Sequence, residues 1–153
     1  MNQFDEIDRK LLALLQADDR PALADLSKKL GVASSTINDR IKRLVRQGVI
    51  TGFHARLSPD ALGLSLLAYI LIAWGDPKVE QLFLKKVRAA PAVLECHHVT
   101  GAWNYLMKVR IKTTRELEAF LSDIKKSLPG VQRTETIIVL SSAKETWSLD
   151  VTP

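Results

Sequence analysis

LSKKLGVASSTINDRIKRL, residues 26–44, is the stretch on which the architecture of the N-terminal third turns. Ala22, Leu23, Leu26 and Leu30 recur at helical spacing, and Gly31 follows where a left-handed helix cap is easiest for glycine. A second helix then opens with Ser34 or Ser35 as its N-cap and runs to about Gln47, where Gly48 stops it. Its inner face is Ile37, Ile41, Leu44 and Val45, which leaves Ser34, Ser35, Thr36, Asn38, Asp39, Arg40, Lys42 and Arg43 pointing outward. Upstream, Ile7, Leu11, Leu14 and Leu15 mark an amphipathic helix from about Asp5 to Ala17, ended by Asp18, Asp19, Arg20 and Pro21.

Three short helices, the last two joined by a glycine turn, have the geometry of a helix-turn-helix. The outward residues suit that use. Ser, Thr and Asn reach base edges or phosphates, Arg40 and Arg43 neutralise phosphates or pair with guanine, and Asp39 accepts from cytosine or orders Arg43 one turn on. The same spacing also describes an ordinary solvated helix in a small bundle, and spacing and composition leave the two readings open.

From Val49 to Ser58 the apolar period changes to two, which predicts an extended linker leading into Pro59. Tyr69 to Ile72 lie in an apolar run, Leu66 to Trp74, that favours a buried strand. Asp76-Pro77 opens a helix that carries Val79, Leu82, Phe83 and Val87 inward and ends before Pro91. Strands are expected from Val93 to Val99 and from Asn104 to Ile111, the second with one covered and one wetter face. Thr113 to Glu116 resembles a capping box, and the helix behind it buries Leu117, Phe120, Leu121, Ile124 and Leu128. A last strand runs from Val131 to about Leu140. The order strand, helix, strand, strand, helix, strand is the ferredoxin-like plan. The expected fold is therefore α+β: a three-helix, winged-type helix-turn-helix over residues 1–48, an extended linker strand over 49–62, and a βαββαβ domain over 63–153.

The chain has 153 residues and a formal net charge of +5, with a pI near 9.5. Lys28, Lys29, Arg40, Lys42, Arg43, Arg46 and Arg56 stand against the single acid Asp39 in their segment, so the positive field is local and suits a polyanion. Cys96 is the only cysteine, which excludes an intrachain disulfide. The acidic first residues do not read as a signal peptide, and the longest apolar stretch, interrupted by Gly63 and Ser65, falls short of the roughly 20 residues a membrane span needs. A cytoplasmic protein is expected. Cys96 and His98 share a strand face and His97 opposes them; two ligands fall short of a zinc site, and nothing orients a Cys-His dyad, so neither metal nor catalytic cysteine is expected.

Residues 7–12 (IDRKLL), 26–37, 40–44 (RIKRL) and 48–53 (GVITGF) resemble the N-terminal signature of the Lrp/AsnC family. Residues 93–96 (VLEC), 98–101 (HVTG), 128–131 (LPGV) and 136–140 (TIIVL) are similar, in order and spacing, to that family's effector and oligomerisation domain. The resemblance implies a transcription regulator that binds double-stranded DNA, forms dimers by pairing its sheets, joins those dimers into octamers, and responds to an amino acid or related metabolite without any cofactor. It places the effector between dimers, near the loop joining the second and third strands, here Thr100, Gly101, Ala102, Trp103 and Asn104, with Thr134 and Thr136 on the last strand.

One departure stands out. Where many relatives read Gly-Asp-Tyr-Asp, this chain reads Gly101-Ala102-Trp103-Asn104, and two acids are missing. A carboxylate for an α-ammonium gives way to the neutral amide of Asn104, and Trp103 offers an apolar face or is simply a packing residue. The expectation is an effector with less positive charge, or with a larger apolar or aromatic part. A rival reading comes from tetrapyrrole decarboxylases that resemble the same family, for which His97, His98 and Arg110 would be the working residues. The intact polar face of the reading helix speaks for the regulator.

Overall fold

The computed structural model describes residues 4–18 and 20–151, which fall into two compact units. Asp19, one of the residues expected to end the first helix, lies outside the described residues.

The first unit gathers the chain up to Leu57 together with the segment from Lys144 onward. It holds α1 (Glu6–Ala17), α2 (Leu23–Leu30) and α3 (Ser34–Arg46). Leu11, Leu26, Ile37 and Leu44 are buried at their junction, flanked by Phe4, Leu14, Leu15, Leu30 and Ile41. Burying each such leucine stabilises the unit by about 1.5–3 kcal/mol. Val45, expected inside, is 45% exposed, because a step of one residue past Leu44 turns the helix about 100° away from the core. The expected domain boundary also shifts. The C-terminal stretch lies against α1, where Gln16 and Leu149 exchange two hydrogen bonds and the Arg9 guanidinium donates to the Val151 carbonyl at 3.2 Å.

The helix ends differ in a way that matters below. α1 has a full capping box: the Asp8 amide donates to Asp5 Oδ1 at 2.7 Å and the Asp5 amide to Asp8 Oδ2 at 3.3 Å. Gly31 adopts φ +69° at the end of α2, a conformation that L side chains resist. Neither Ser34 nor Ser35 is the N-cap of α3. The tight turn delivers the chain so that Ala33 is the extended cap residue and Ser34 is already helical, leaving the first amides of α3 without a side-chain acceptor. α2 begins the same way, at Ala22.

The linker expected as a strand has no ladder partner. Residues 51–58 are exposed and irregular, and Pro59, Leu62 and Gly63 lie in a turn closed by the Leu62 amide on the Pro59 carbonyl. A strand needs a neighbour to satisfy its amides, and none of the four described strands pairs with this segment.

The second unit, Ser58–Ala143, is a four-stranded antiparallel sheet. Its elements are β1 (Leu66–Trp74), α4 (Lys78–Ala89), β2 (Val93–His98), β3 (Tyr105–Ile111), α5 (Thr114–Ser127) and β4 (Val131–Ile138), with sheet order β2-β3-β1-β4. This is the ferredoxin-like order. Ile70 pairs with Met107 on one side and Thr136 on the other, and Ile72 with Tyr105 and Thr134, so these residues share one face. Ala68, Ile70, Ile72, Trp74, Tyr105, Met107 and Val109 on that face bury Val79 and Phe83 of α4 and Leu117, Ile124 and Leu128 of α5. Leu82, expected inside α4, is 54% exposed; Val79 and Phe83, one turn apart, already cover the sheet. The N-cap residue of α4 is Pro77 and not the expected Asp76, whose carboxylate one residue earlier accepts from the Lys78 amide at 2.9 Å. Thr113 accepts from the Glu116 amide, while Glu116 returns its bond to Lys112 and not to the cap residue, so the expected box is half formed. The wetter face of β3 is drier than its sequence implies: Lys108 is buried and its ammonium donates to Glu95 Oε1 at 3.2 Å.

Candidate nucleic-acid interface and effector loop

α3 presents Ser35, Thr36, Asp39 and Lys42 fully to solvent, with Ser34 and Asn38 half-buried beside them. Arg46 at the end of the helix and Lys28 and Lys29 on α2 are also exposed. The uncapped amides of α3 and α2 add partial positive charge of the kind that binds phosphate.

Arg40 and Arg43 behave differently. Both turn from α3 to α1. Arg40 Nη1 lies 2.7 Å from Asp5 Oδ2 and 2.7 Å from Asp8 Oδ1, and Arg43 Nη2 lies 2.5 Å from Asp8 Oδ2. Asp8 is 1% exposed. Its amide bond and the Arg40 guanidinium hold the Asp5 carboxyl below the usual carboxylate value, and the carboxylates in turn raise Arg40. Arg43 takes Asp8 and not Asp39, which was expected to order it. Sequence reading missed this network, although a signal was present: Asp8 sits three residues before Leu11 and seven before Leu15, on the apolar stripe of α1 where an acid needs a partner.

In the second unit, the loop between β2 and β3 is held firmly. Gly101 takes φ +103° at its tip. Asn104 donates its amide to the Ile72 carbonyl at 2.9 Å, accepts from the Val99 amide at 3.0 Å, and accepts from the Trp74 amide on its side-chain oxygen at 2.8 Å. Arg133 of β4 donates to the Ala102 carbonyl and lays its guanidinium 4.2 Å over the Trp103 ring. The residue that β4 brings to the loop is thus Arg133, which sequence reading did not single out. Thr134 and Thr136 stand on the helix side of β4, with β1 between them and β3. Thr100, Gly101 and Ala102 are exposed and Trp103 half-buried.

Beside the loop, Trp74, Gly75, Pro77, Glu80, His98 and Asn104 line an open cleft of about 180 Å³. Two of its lining rings, Trp74 and His98, belong to an aromatic cluster: Tyr105 stacks on His98 at 4.9 Å and on Trp74 at 5.6 Å, with Phe83 tilted against both Trp74 and Tyr105. The Tyr105 hydroxyl donates to Glu80 Oε1 at 2.6 Å, and that bond, with burial, pushes the phenol up to about 12. Cys96 and His98 do share a face of β2, opposite Met107 and Tyr105, and His97 on the other face lies 3.4 Å from Glu95. Burial raises the Cys96 thiol. Among the described residues no three His, Cys, Asp or Glu side chains group as metal ligands, and no helix is long and apolar enough to cross a membrane.

A helix-turn-helix with a polar, basic reading face, joined in one chain to a ferredoxin-like domain, defines a DNA-binding transcriptional regulator that carries a ligand-binding domain. The comparisons agree with that class: residues 4–51 match the model of a winged helix-turn-helix DNA-binding domain, and residues 68–149 match the Lrp/AsnC ligand binding domain. The chain belongs to the Lrp/AsnC family. It is 42% identical to the HTH-type transcriptional regulator FL11 of Pyrococcus abyssi across 97% of each chain. It is 38% identical to the leucine-responsive regulatory protein of Haemophilus influenzae, over 94% of this chain and 87% of that one. The crystal structure of the transcriptional regulator NMB0573 from Neisseria meningitidis, in complex with L-Met, superposes with a TM-score of 0.91 at 30% identity, over 96% of each chain. These relatives are regulators, which favours that reading over a tetrapyrrole decarboxylase.

Proposed function

We propose that this regulator reads double-stranded DNA with the outward face of α3 laid in the major groove, and that an amino acid or related metabolite bound by the second unit tunes that reading. The observation that supports it is the division of labour on α3. Ser34, Ser35, Thr36, Asn38 and Asp39 are free to address base edges, while Lys42, with Lys28, Lys29 and Arg46 around it, addresses phosphates. Arg40 and Arg43 serve the same end indirectly, by holding α3 against α1.

The effector reading rests on the loop Thr100–Asn104, with Thr134 and Thr136 on β4, and on the L-Met complex of NMB0573. In this proposal the protein acts as a homodimer whose sheets pair and whose dimers assemble further, to an octamer. An effector that binds one arrangement of dimers more tightly shifts the population toward it and so alters the fit to spaced DNA sites. With genomic DNA as partner, its place of action is the cytoplasm, and the chain is not an enzyme. Capture of genomic fragments by the full-length protein, followed by anisotropy titrations at several salt concentrations, tests the proposal. Recovery of a shared palindromic sequence bound at least about 1,000-fold over bulk DNA supports it; uniform binding of all fragments refutes sequence-specific reading.

A further inference from the structure

The loop that lacks the family's acids has three of its acceptors engaged within the protein. The Ala102 carbonyl accepts from Arg133, the Asn104 carbonyl accepts from Val99, and the Asn104 side-chain oxygen accepts from Trp74. The Asn104 amide nitrogen keeps its two hydrogens, so what this side chain can still offer a ligand is donors. Arg133 already covers one face of the Trp103 ring. An ammonium group brought to the loop would meet these donors and the Arg133 cation, with no carboxylate among residues 100–104 to balance its charge.

Across the same cleft stands a carboxylate that the loop does not own. Glu80 lies in the first turn of α4, which opens at Pro77 with the Lys78 amide bonded to Asp76. Tyr105 donates to Glu80 Oε1, and Tyr105 is itself wedged between the rings of His98 and Trp74, so the carboxylate is oriented from a rigid base. A carboxylate offers about four lone-pair sites, of which Tyr105 uses one. Glu80 lines the cleft and is half-buried, so its carboxylate keeps part of its contact with solvent and avoids the full desolvation cost. Trp74 and Pro77 supply apolar wall between Glu80 and Asn104.

We propose that Glu80 takes the place of the missing loop acids and holds the ammonium group of the effector, while the Asn104 amide donors take its carboxylate. The ligand class is an α-amino acid whose side chain is apolar and lies along Trp74 and Pro77. This rests on the reading that the second unit binds a small effector, and it reverses the expectation that loss of the acids selects a ligand without positive charge.

The test is calorimetric titration of the full-length protein with L-methionine and with its desamino analogue, in the native chain and in Glu80→Gln. Loss of a charge-assisted hydrogen bond predicts that the native chain binds the desamino analogue about 10- to 100-fold more weakly than L-methionine. Glu80→Gln should weaken L-methionine by a similar factor and leave the analogue unchanged. Tyr105→Phe, which keeps Glu80, should hold L-methionine within about threefold of the native value, since its lost bond is to the other oxygen. Equal affinity of the native chain for L-methionine and its analogue overturns the assignment, and so does undiminished L-methionine binding by Glu80→Gln. Failure of all twenty common amino acids to bind or to stabilise the native chain overturns the effector reading itself, a result separable from the first two.

Discussion

Arg43 and Asp8 meet at 2.5 Å across the first unit, one from α3, the helix proposed to read DNA, and one from a buried position on α1. Asp8 also receives Arg40 and closes the capping box with Asp5, so a single carboxylate ties the start of one helix to the middle of another. Breaking such a cluster from its buried end takes the carboxylate from Arg43 and leaves Arg40 with Asp5 alone. Asp8→Asn should therefore destabilise the protein by about 2–4 kcal/mol, below the largest buried-pair values because Arg43 is 40% exposed on its side chain. Urea unfolding measures this; a change under about 0.5 kcal/mol would mean that the cluster is held by something else.

Lys42 and Arg40 should separate cleanly in DNA titrations. Lys42→Ala removes an exposed cation and should flatten the slope of log K against log salt by about one unit, with stability changed by no more than about 0.5 kcal/mol. Arg40→Ala should lower stability and leave the slope as it is, because Arg40 is spent on Asp5 and Asp8. An unchanged slope for Lys42→Ala, or a lowered one for Arg40→Ala, would exchange their roles.

Acid should loosen the same cluster through Asp5. Its folded value lies below the ordinary 3.8, chiefly through the Asp8 amide and then through Arg40. A depressed acid contributes stability that is present above the unfolded value and lost as pH falls through the folded one. Asp5→Asn should accordingly reduce the loss of stability below about pH 4, read by thermal unfolding across the acid range.

At the other end of the scale, Tyr105 should ionise near 12, against an ordinary value of 10.0. A raised folded value gives stability that is fully present below pH 10.0 and is lost as pH rises through about 12. Phenolate absorbance of the folded protein follows it. Glu80→Gln removes the acceptor charge and should bring the transition down toward the ordinary value; a transition unmoved by that change would assign the shift to burial alone.

The sequence made the helices, the strands and their order legible because each carries its own period, from Ile37 and Leu44 on α3 to Tyr105, Met107 and Val109 on β3. What it hid is where long side chains end. Arg40 counts as outward by its angle on the helix, yet its guanidinium reaches back to α1, because arginine spans several ångströms from its backbone. Arg133 and Glu80 were missed for a related reason: each lies far in sequence from the loop, and strand register brings Arg133 to it while the fold sets Glu80 on the cleft that Asn104 also lines. Val45 and Leu82 were placed inside because apolar character was read as burial, a rule that runs in one direction only.

The bonds between Gln16 and Leu149 carry a consequence for how the protein can be taken apart. The portion that addresses DNA is not one continuous stretch: a strap from more than a hundred residues later belongs to it. A fragment cut after Leu57 keeps every residue proposed to read DNA and loses that strap. Its behaviour would understate the intact molecule, and swapping such heads between relatives succeeds best when the tail travels with them.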